Sequence, residues 1–378
     1  MKKIMTPGPT QVRENVRMAR SLVTTNPDLD LEFYDYYKDT CELLSQLLHT
    51  GNTSYIMSGE GILGLEAACA SLTEPGDRVL VLDNGIFGKG FADFVKIYQG
   101  EPVLYTADYH RDFDVDALAA WLEKDHDFKY AAIVHCDTPT GVLNPIEVIC
   151  PLLKKYGILS VVDAVSSMFG EEIDVDACQA DIVCGGSQKA LSAPVGLTML
   201  CVSDAAIKAM EQRKTPIASF YANILNFRDY YKNKWFPYTM PISDIYGLRT
   251  ALENVKADGD IYTRHGRIAA ATRKAVTEAG LKLYLDRGYC ATVTVIEVPE
   301  GVDSAVLLHT MEETYQVMIA GCFDILAGKV IRLGHMGENA NVADVTVMLD
   351  ALDHTFADLG YPLKASMKEV FVREVYAL

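Results

Sequence analysis

Residues 159–191 read LSVVDAVSSMFGEEIDVDACQADIVCGGSQKAL and contain two short apolar runs, 159–163 and 181–184. Continuous runs of valine, isoleucine and leucine of this length predict strands that are covered on both faces. Asp163 ends the first run, and Lys189 follows the second run after a glycine-rich turn. Two neighbouring strands of one sheet would bring this acid and this amine to the same edge of the sheet.

The surrounding sequence predicts more elements of the same kind. Further strands are predicted at 78–84, 131–135 and 196–202, and helices at 63–72, 91–98, 114–124 and 146–156. Within the last of these helices we expect Pro151 to mark a break or a helix start, because proline lacks a backbone N–H. Alternating strands and helices predict an α/β fold with a large, mostly parallel sheet, which binds ligands at the carboxyl ends of its strands.

The pattern changes after residue 241. Long helices are predicted at 242–255 and 264–279, followed by strands at 291–298 and 329–333 and a helix near 342–352. This order of elements predicts a second, smaller α+β domain in the C-terminal part of the chain.

Composition and charge exclude several classes of function. The 378 residues are 49% hydrophobic and 22% charged, which is typical of a folded protein. The formal net charge of −17 argues against partners such as nucleic acid or an anionic membrane surface, because both are negatively charged. The longest apolar stretch, 190–203, is shorter than the roughly 20 residues of a membrane-spanning helix, and no apolar run follows the two N-terminal lysines.

Cysteine and histidine usage bears on compartment and metal binding. The nine cysteines form no CxxC pair, and several lie in apolar runs, which is typical of a protein in a reducing, cytoplasmic compartment. The eight histidines include no HxxxH or HExxH arrangement, so we expect no metal site. A dinucleotide-dependent dehydrogenase is disfavoured because no GxGxxG motif follows a predicted strand.

Asp163 and Lys189 are the pair of groups that pyridoxal 5'-phosphate requires. A lysine amine condenses with the aldehyde of this cofactor and holds it covalently. A carboxylate beside the pyridine nitrogen keeps that nitrogen protonated, so that the ring draws electrons from the α-carbon of the substrate. Once it is displaced, Lys189 can carry the α-proton. Locally, Lys189 also fits a surface lysine and Asp163 a helix N-cap.

A glycine-rich turn at 58–64 opens the predicted helix 63–72. Backbone N–H groups at such a helix start face one point and bind anions, so the turn suits a cofactor phosphate. Many helices begin in this way. Glu60 is an awkward residue in this turn, because its carboxylate would repel phosphate unless it turned outward, although its backbone N–H could still bind.

Three more side chains follow predicted strands. Phe87 could stack on a pyridine ring, although it also fits a core position. Thr138 offers a hydroxyl near the expected ring, or caps a turn together with Thr140. Arg332, flanked by apolar residues, needs a negative partner because unpaired buried charge is costly. That partner would be a substrate carboxylate held by two parallel hydrogen bonds, or an internal acid.

The motifs together resemble those of class V aminotransferases, and most closely the alanine–glyoxylate and serine–pyruvate aminotransferase branch. The residues that carry this resemblance occur in the family's order and span nearly the whole chain. They are TPGPT at 6–10, SGEGILGLEA at 58–67, NGIFG at 84–88, DTPTGV at 137–142, DAVSS at 163–167, GSQKAL at 186–191 and RLG at 332–334.

The resemblance implies fold type I, with a large cofactor-binding domain at 11–250, a small C-terminal domain at 251–378 and residues 1–10 alongside it. It implies a homodimer with active sites at the interface. Lys189 and Asp163 would be the catalytic residues. The other cofactor contacts would come from the backbone of Glu60, Gly61 and Ile62 and from Phe87, Thr138, Val165, Gln188 and the partner subunit's Thr239. Arg332 and the backbone of Gly8 would bind the substrate.

The chain departs from the animal enzymes of this family at the phosphate. Glu60 and Ile62 replace a serine and a histidine, and Phe236 stands where a tyrosine hydroxyl often reaches the phosphate. The resemblance therefore implies that phosphate binding depends more on backbone amides here than in the animal enzymes.

The resemblance implies transfer of an amino group from an α-amino acid, alanine or serine, to glyoxylate or pyruvate. Two alternatives within the family are 2-aminoethylphosphonate–pyruvate and ureidoglycine–glyoxylate transamination. A third is a lyase similar to cysteine desulfurases, which usually have histidines where this chain has Gln188 and Phe87; Cys322 could stand for their mobile cysteine but fits a core position. A fourth is a protein that binds the cofactor without turnover.

Overall fold

The computed structural model of the protein describes residues 2–377. Its strands are β1 (Lys3–Ile4), β2 (Thr53–Ser58), β3 (Arg78–Asp83), β4 (Glu101–Thr106), β5 (Tyr130–Val134), β6 (Cys136–Asp137), β7 (Val142–Leu143), β8 (Leu159–Asp163), β9 (Ile182–Gly186), β10 (Leu197–Val202), β11 (Val293–Glu297), β12 (Val317–Met318) and β13 (Val330–Gly334). Its helices are α1 (Glu14–Ala19), α2 (Leu31–Leu47), α3 (Gly61–Leu72), α4 (Ile86–Ile97), α5 (Val115–Leu122), α6 (Ile146–Lys155), α7 (Val175–Cys178), α8 (Asp204–Glu211), α9 (Tyr230–Asn233), α10 (Ile242–Ala257), α11 (Ile261–Glu278), α12 (Ser304–Glu313), α13 (Val342–Asp358) and α14 (Met367–Val375).

A seven-stranded sheet in the order β2-β10-β9-β8-β5-β3-β4 organises the large part of the molecule. The strands from β9 to β4 run parallel, and β10 is antiparallel to both of its neighbours. The expected α/β class with a mostly parallel sheet is confirmed. Strands β8 and β9 are direct neighbours, with Asp163 opposite Cys184, so Asp163 and the turn that carries Lys189 leave the sheet at the same edge.

The expected break at Pro151 is wrong, because helix α6 runs through this proline without interruption. A proline here removes the hydrogen bond to the carbonyl of Glu147, which belongs to an exposed residue, so water can take the place of the missing donor. On the opposite side, Ile149, Leu152 and Leu153 are buried. Burial of this apolar face outweighs the loss of one backbone hydrogen bond.

Several elements carry no clear signal in the sequence. Strand β4 is an edge strand of exposed and half-buried residues, and Pro102 lies within it. Its apolar run after the proline is only three residues long, 103–105, and is shorter than the runs that identified its neighbours. Helix α2 and strand β2 also went unpredicted, although β2 pairs along its whole length with β10.

Two large hydrophobic clusters fill the molecule. One lies around the seven-stranded sheet and extends to Ile261, and the other joins α11, α13 and α14 to the β11–β13 pair. Met5 belongs to the second cluster, and β1 pairs with β12. The N-terminal segment therefore lies against the C-terminal part of the chain, while the exact division at residue 250 stays a prediction.

Within residues 2–377, no helix is both long enough and apolar enough to cross a membrane. The same residues contain no group of three or more histidine, cysteine or acidic side chains placed to hold a metal ion.

Candidate active site

A cavity lies at the carboxyl edge of the sheet, where β8 and β9 end. It brings together nine of the residues that the sequence singled out, and four more that it did not. The predicted lining residues are Gly8, Glu60, Ile62, Phe87, Thr138, Asp163, Val165, Gln188 and Lys189, and the others are Pro9, Leu65, Cys136 and Ser166. Gly61 is buried beside the cavity, and Thr239 and Arg332 are not among the lining residues.

The Lys189 amine is held by the N-terminal segment. Its Nζ donates a hydrogen bond to the carbonyl oxygen of Pro7 at 2.7 Å. Gly8 has φ +92°, a conformation that favours glycine, and a Cβ atom there would displace the side chain of Lys189. Burial, together with the positive charge of Arg332, lowers the pKa of Lys189 to about 8. At a given pH, a larger fraction of the Lys189 amine is therefore neutral and nucleophilic than in an ordinary lysine.

The Asp163 carboxyl group is buried at the end of β8. It accepts a hydrogen bond from the backbone N–H of Val165 at 2.9 Å. Asp163 therefore also caps the turn that follows β8, which is close to the N-cap role that its local sequence allowed. Burial is the main reason that its pKa rises to about 7, and the negative charge of Asp137 adds to the effect. A carboxyl group in this state gains from a cationic partner in the cavity, which a protonated pyridine nitrogen would provide.

Two apolar side chains frame the cavity. Phe87 is 37% exposed, and its backbone N–H is fixed by a hydrogen bond to Asp137 at 2.9 Å. Val165 packs against the start of α3, where a Cβ on Gly61 would lie 2.5 Å from its side chain. Both side chains line the cavity, and their expected places on the two faces of a ring remain a prediction.

The two threonines after β6 have separate roles in the structure. The Thr140 hydroxyl bonds the Asp137 carboxylate at 2.8 Å, as expected for a capped turn. Thr138 instead lines the cavity. A purely structural turn therefore accounts for Thr140 but not for the place of Thr138 in the cavity wall.

The glycine-rich turn differs from expectation at Glu60. This carboxylate lines the cavity, where it accepts the backbone N–H of Ile62 at 3.2 Å and the Gln188 side-chain amide at 3.0 Å. The Ile62 amide, which we expected to face a phosphate, is thus already bonded within the chain.

Arg332 lies on β13 and is half-buried. Its Nε donates to the carbonyl oxygen of Gly321 at 2.7 Å, and within residues 2–377 it forms no ion pair with a carboxylate. The predicted alternative, in which an acid within the chain pairs with Arg332, is therefore wrong for the described residues. The guanidinium lies 5.8 Å from the ring of Phe323, which in turn lies 5.9 Å from the ring of Phe87.

Thr239 lies on the surface of the chain, where its hydroxyl donates a hydrogen bond to Asp28 at 3.2 Å. Sequence reasoning missed Phe323, which links the arginine to the cavity, and Ser166, which belongs to the DAVSS motif. The motif was a signal for Ser166, whereas Phe323 had no sequence signal because its place depends on contacts with distant residues.

Comparison with known proteins decides the family. A model of class V aminotransferases matches residues 13–321. The chain belongs to the class V aminotransferase family. It is 33% identical to an uncharacterized aminotransferase of Methanocaldococcus jannaschii over 99% of this chain and 98% of that protein. It is 35% identical to a pyridoxamine–pyruvate transaminase of Mesorhizobium japonicum over 86% of this chain and 84% of that protein.

The fold agrees with this assignment. The structure of a ureidoglycine–glyoxylate aminotransferase from Bacillus subtilis superposes with a TM-score of 0.96 at 28% identity, covering 100% of this chain and 98% of the other. Other relatives are named L-aspartate–glyoxylate, serine–glyoxylate and alanine–glyoxylate aminotransferases. The class V aminotransferase is therefore a pyridoxal-phosphate-dependent transaminase of fold type I, as the sequence predicted.

The ring end of the cavity fits that cofactor. Two buried polar atoms, Oε1 of Gln188 and Oγ of Ser166, have no hydrogen-bond partner within the part of the chain that the structure describes. Buried polar atoms normally form hydrogen bonds, so these two atoms are available to bond a ligand in the cavity. When bound, the cofactor supplies an electron sink for the bonds of the substrate's α-carbon. The side chains of Asp163 and Lys189 would supply the proton-holding groups around it.

The raised pKa of Asp163 predicts a pH effect on the cofactor-free protein. The unfolded chain releases this proton near pH 4 and the folded chain near pH 7, so folding stability falls as the pH rises between these values. Asp163→Asn removes this loss, which amounts to at most about 1.4 kcal/mol per pH unit. Calorimetric unfolding from pH 4 to 8 measures it, with the exposed Asp116→Asn as control. Parallel curves for the wild type and Asp163→Asn would contradict the assignment.

Proposed function

We propose that this aminotransferase moves the amino group of alanine or serine to glyoxylate or pyruvate in the cavity at the ends of β8 and β9. The observation that carries the proposal is the meeting of the Lys189 amine and the Asp163 carboxyl group in one buried cavity. The names of the relatives support a small 2-oxo acid as the acceptor. The nine cysteines, none in a disulfide, support a reducing compartment such as the cytoplasm.

In this proposal Lys189 forms the covalent link to the cofactor and carries the α-proton, and Asp163 holds the proton of the pyridine nitrogen. Phe87 and Val165 cover the ring. Thr138 and Gln188 bond the cofactor, the turn at 60–62 lies at its outer end, and the backbone of Gly8 and the side chain of Arg332 bind the substrate. Thr239, exposed on its own subunit, reaches the site of the partner.

Replacement of the lysine tests the proposal directly. Lys189→Ala removes both the covalent anchor and the proton carrier, so we expect turnover of alanine with glyoxylate to fall by at least about 10²-fold. Amino acid product is measured by chromatography, and cofactor retention is measured by dialysis followed by absorbance. The exposed Lys124→Ala is the control. Unchanged turnover in Lys189→Ala would refute the proposed role.

Arg332 provides a second test. Arg332→Gln keeps a polar side chain but removes the charge that pairs with a substrate carboxylate. The fall in kcat/KM should correspond to a loss of about 2–4 kcal/mol of transition-state stabilisation. The exposed Arg111→Gln changes the same charge away from the cavity and should leave kcat/KM unchanged. If Arg332→Gln lowers thermal stability but not kcat/KM, the arginine is structural.

A second candidate donor is pyridoxamine, with pyruvate as acceptor. One relative carries this name, and Glu60 favours it because a carboxylate stands where a phosphate would otherwise lie. Ureidoglycine is a donor named in another relative, and the described geometry offers no specific observation in its favour.

We also propose a homodimer that completes each active site. Apolar side chains before α2 are strongly exposed, with Val23 at 93% and Leu29 at 77%, and they lie close in sequence to Asp28, the partner of Thr239. Several strongly exposed apolar side chains in one short stretch of sequence support an interface at this place.

A charge at the centre of this surface tests the dimer. Val23→Asp places a carboxylate where apolar contact is expected, and it should shift the mass measured by light scattering from about two chains to one. Exposed Glu32→Asp serves as the control. A wild-type protein that is monomeric at micromolar concentration would contradict the proposal.

A further inference from the structure

We propose that Glu60 is a specificity residue that makes this cavity prefer the pyridine ring without its phosphate, so that free pyridoxamine enters as an amino donor and leaves as pyridoxal. This inference rests on the second donor proposed above, pyridoxamine with pyruvate as acceptor, and names the form of the ring that the site selects. The carboxylate acts at the point where the glycine-rich turn meets the cavity.

The position of the Glu60 carboxylate is fixed by two donors. One oxygen accepts the backbone N–H of Ile62 at the start of α3, at 3.2 Å, and the other accepts the side-chain amide of Gln188 at 3.0 Å. The backbone of Gln188 is itself anchored, because its main-chain carbonyl oxygen accepts a hydrogen bond from the backbone N–H of Thr10 at 3.1 Å. Turning the carboxylate outward would break both bonds and leave the first turn of α3 without its cap.

The same contacts remove one of the groups that a phosphate needs. An anion at a helix start is bound by free backbone N–H groups, and here the Ile62 N–H is occupied by a carboxylate of the chain itself. Lys189 is the one cationic side chain that lines the cavity within the described residues, and its Nζ is bonded to Pro7. A phosphate would therefore meet a fixed negative charge with no cation between them, and like charges in contact oppose binding.

A neutral hydroxymethyl group meets the opposite situation. An ionised carboxylate only accepts hydrogen bonds, and an alcohol O–H is a suitable donor to it. The unphosphorylated ring carries such an alcohol at the position of the phosphate ester. The groups at the other side of the ring, Asp163 and Lys189, act on the nitrogen and the aldehyde carbon, which both forms of the ring share. Glu60 thus discriminates between the two forms without affecting the chemistry.

The proposed reaction balances without a further reagent. The aminomethyl carbon of pyridoxamine is oxidised by two electrons to the aldehyde of pyridoxal, and the keto carbon of the 2-oxo acid is reduced by two electrons. The nitrogen leaves the first carbon and bonds to the second, and the carbonyl oxygen is exchanged through water. Arg332, which has no carboxylate partner within the described residues, is available for the carboxylate of the 2-oxo acid.

Binding of two ligands to three purified full-length proteins tests this inference. Equilibrium dialysis gives Kd for pyridoxal and for pyridoxal phosphate with the wild type, Glu60→Gln and Glu60→Ser. Gln keeps the shape and one acceptor oxygen and removes the charge, whereas Ser keeps a helix cap and opens space. We expect the wild type to bind pyridoxal at least about tenfold more tightly than pyridoxal phosphate, and both variants to gain about tenfold or more for the phosphate form.

Glu66→Gln provides the matched control. This carboxylate lies on the same helix but bonds Tyr98, so its loss should leave the preference unchanged.

Two activity assays separate this inference from the proposed function. The first measures the formation of pyridoxal and alanine from pyridoxamine and pyruvate. The second measures the formation of pyruvate and glycine from alanine and glyoxylate with pyridoxal phosphate added. A wild type that binds pyridoxal phosphate as tightly as pyridoxal overturns the inference, and activity in the second assay then leaves the proposed transaminase standing. Absence of both activities overturns the proposed function itself.

Discussion

The burial of an acid and an amine in one cavity is the constraint on which the rest of the site depends. Asp163 and Lys189 come from neighbouring parallel strands, so the sheet itself brings them together. Burial disfavours the charged form of both, raising the pKa of Asp163 to about 7 and lowering that of Lys189 to about 8. A ring with a basic nitrogen and an electrophilic carbon satisfies both groups at once.

The N-terminal segment connects this cavity to the C-terminal part of the chain. Met5 is buried in the C-terminal cluster, the carbonyl of Pro7 holds the lysine amine, and Gly8 gives the lysine side chain its space. From the other direction, Phe323 lies between Arg332 and Phe87. The arginine proposed to bind substrate and the ring proposed to cover the cofactor are thereby positioned by the same contacts, although they lie far apart in the sequence.

Glu60 has a local and a functional consequence. Locally it caps α3, a role that asparagine, aspartate, serine and threonine usually fill. Functionally its charge points into the cavity that the rest of the site prepares for a cofactor. The side chain that stabilises the helix start is therefore the one that conflicts with a phosphate. The chemistry of the ring and the selection of its substituent are thus separated within one site.

The sequence by itself determined the α/β class and the pairing of Asp163 with Lys189, because continuous apolar runs identify buried parallel strands and such strands end at one edge. The order of its motifs indicated the family through their resemblance to class V aminotransferases. It also located the glycine-rich turn and Arg332. It did not determine the edge strand β4 or the path of α6 through Pro151, since both depend on packing against the rest of the molecule. Only the tertiary structure decided that Glu60 points inward, because the amide that holds it belongs to Gln188 and is placed by the sheet, 128 positions along the chain.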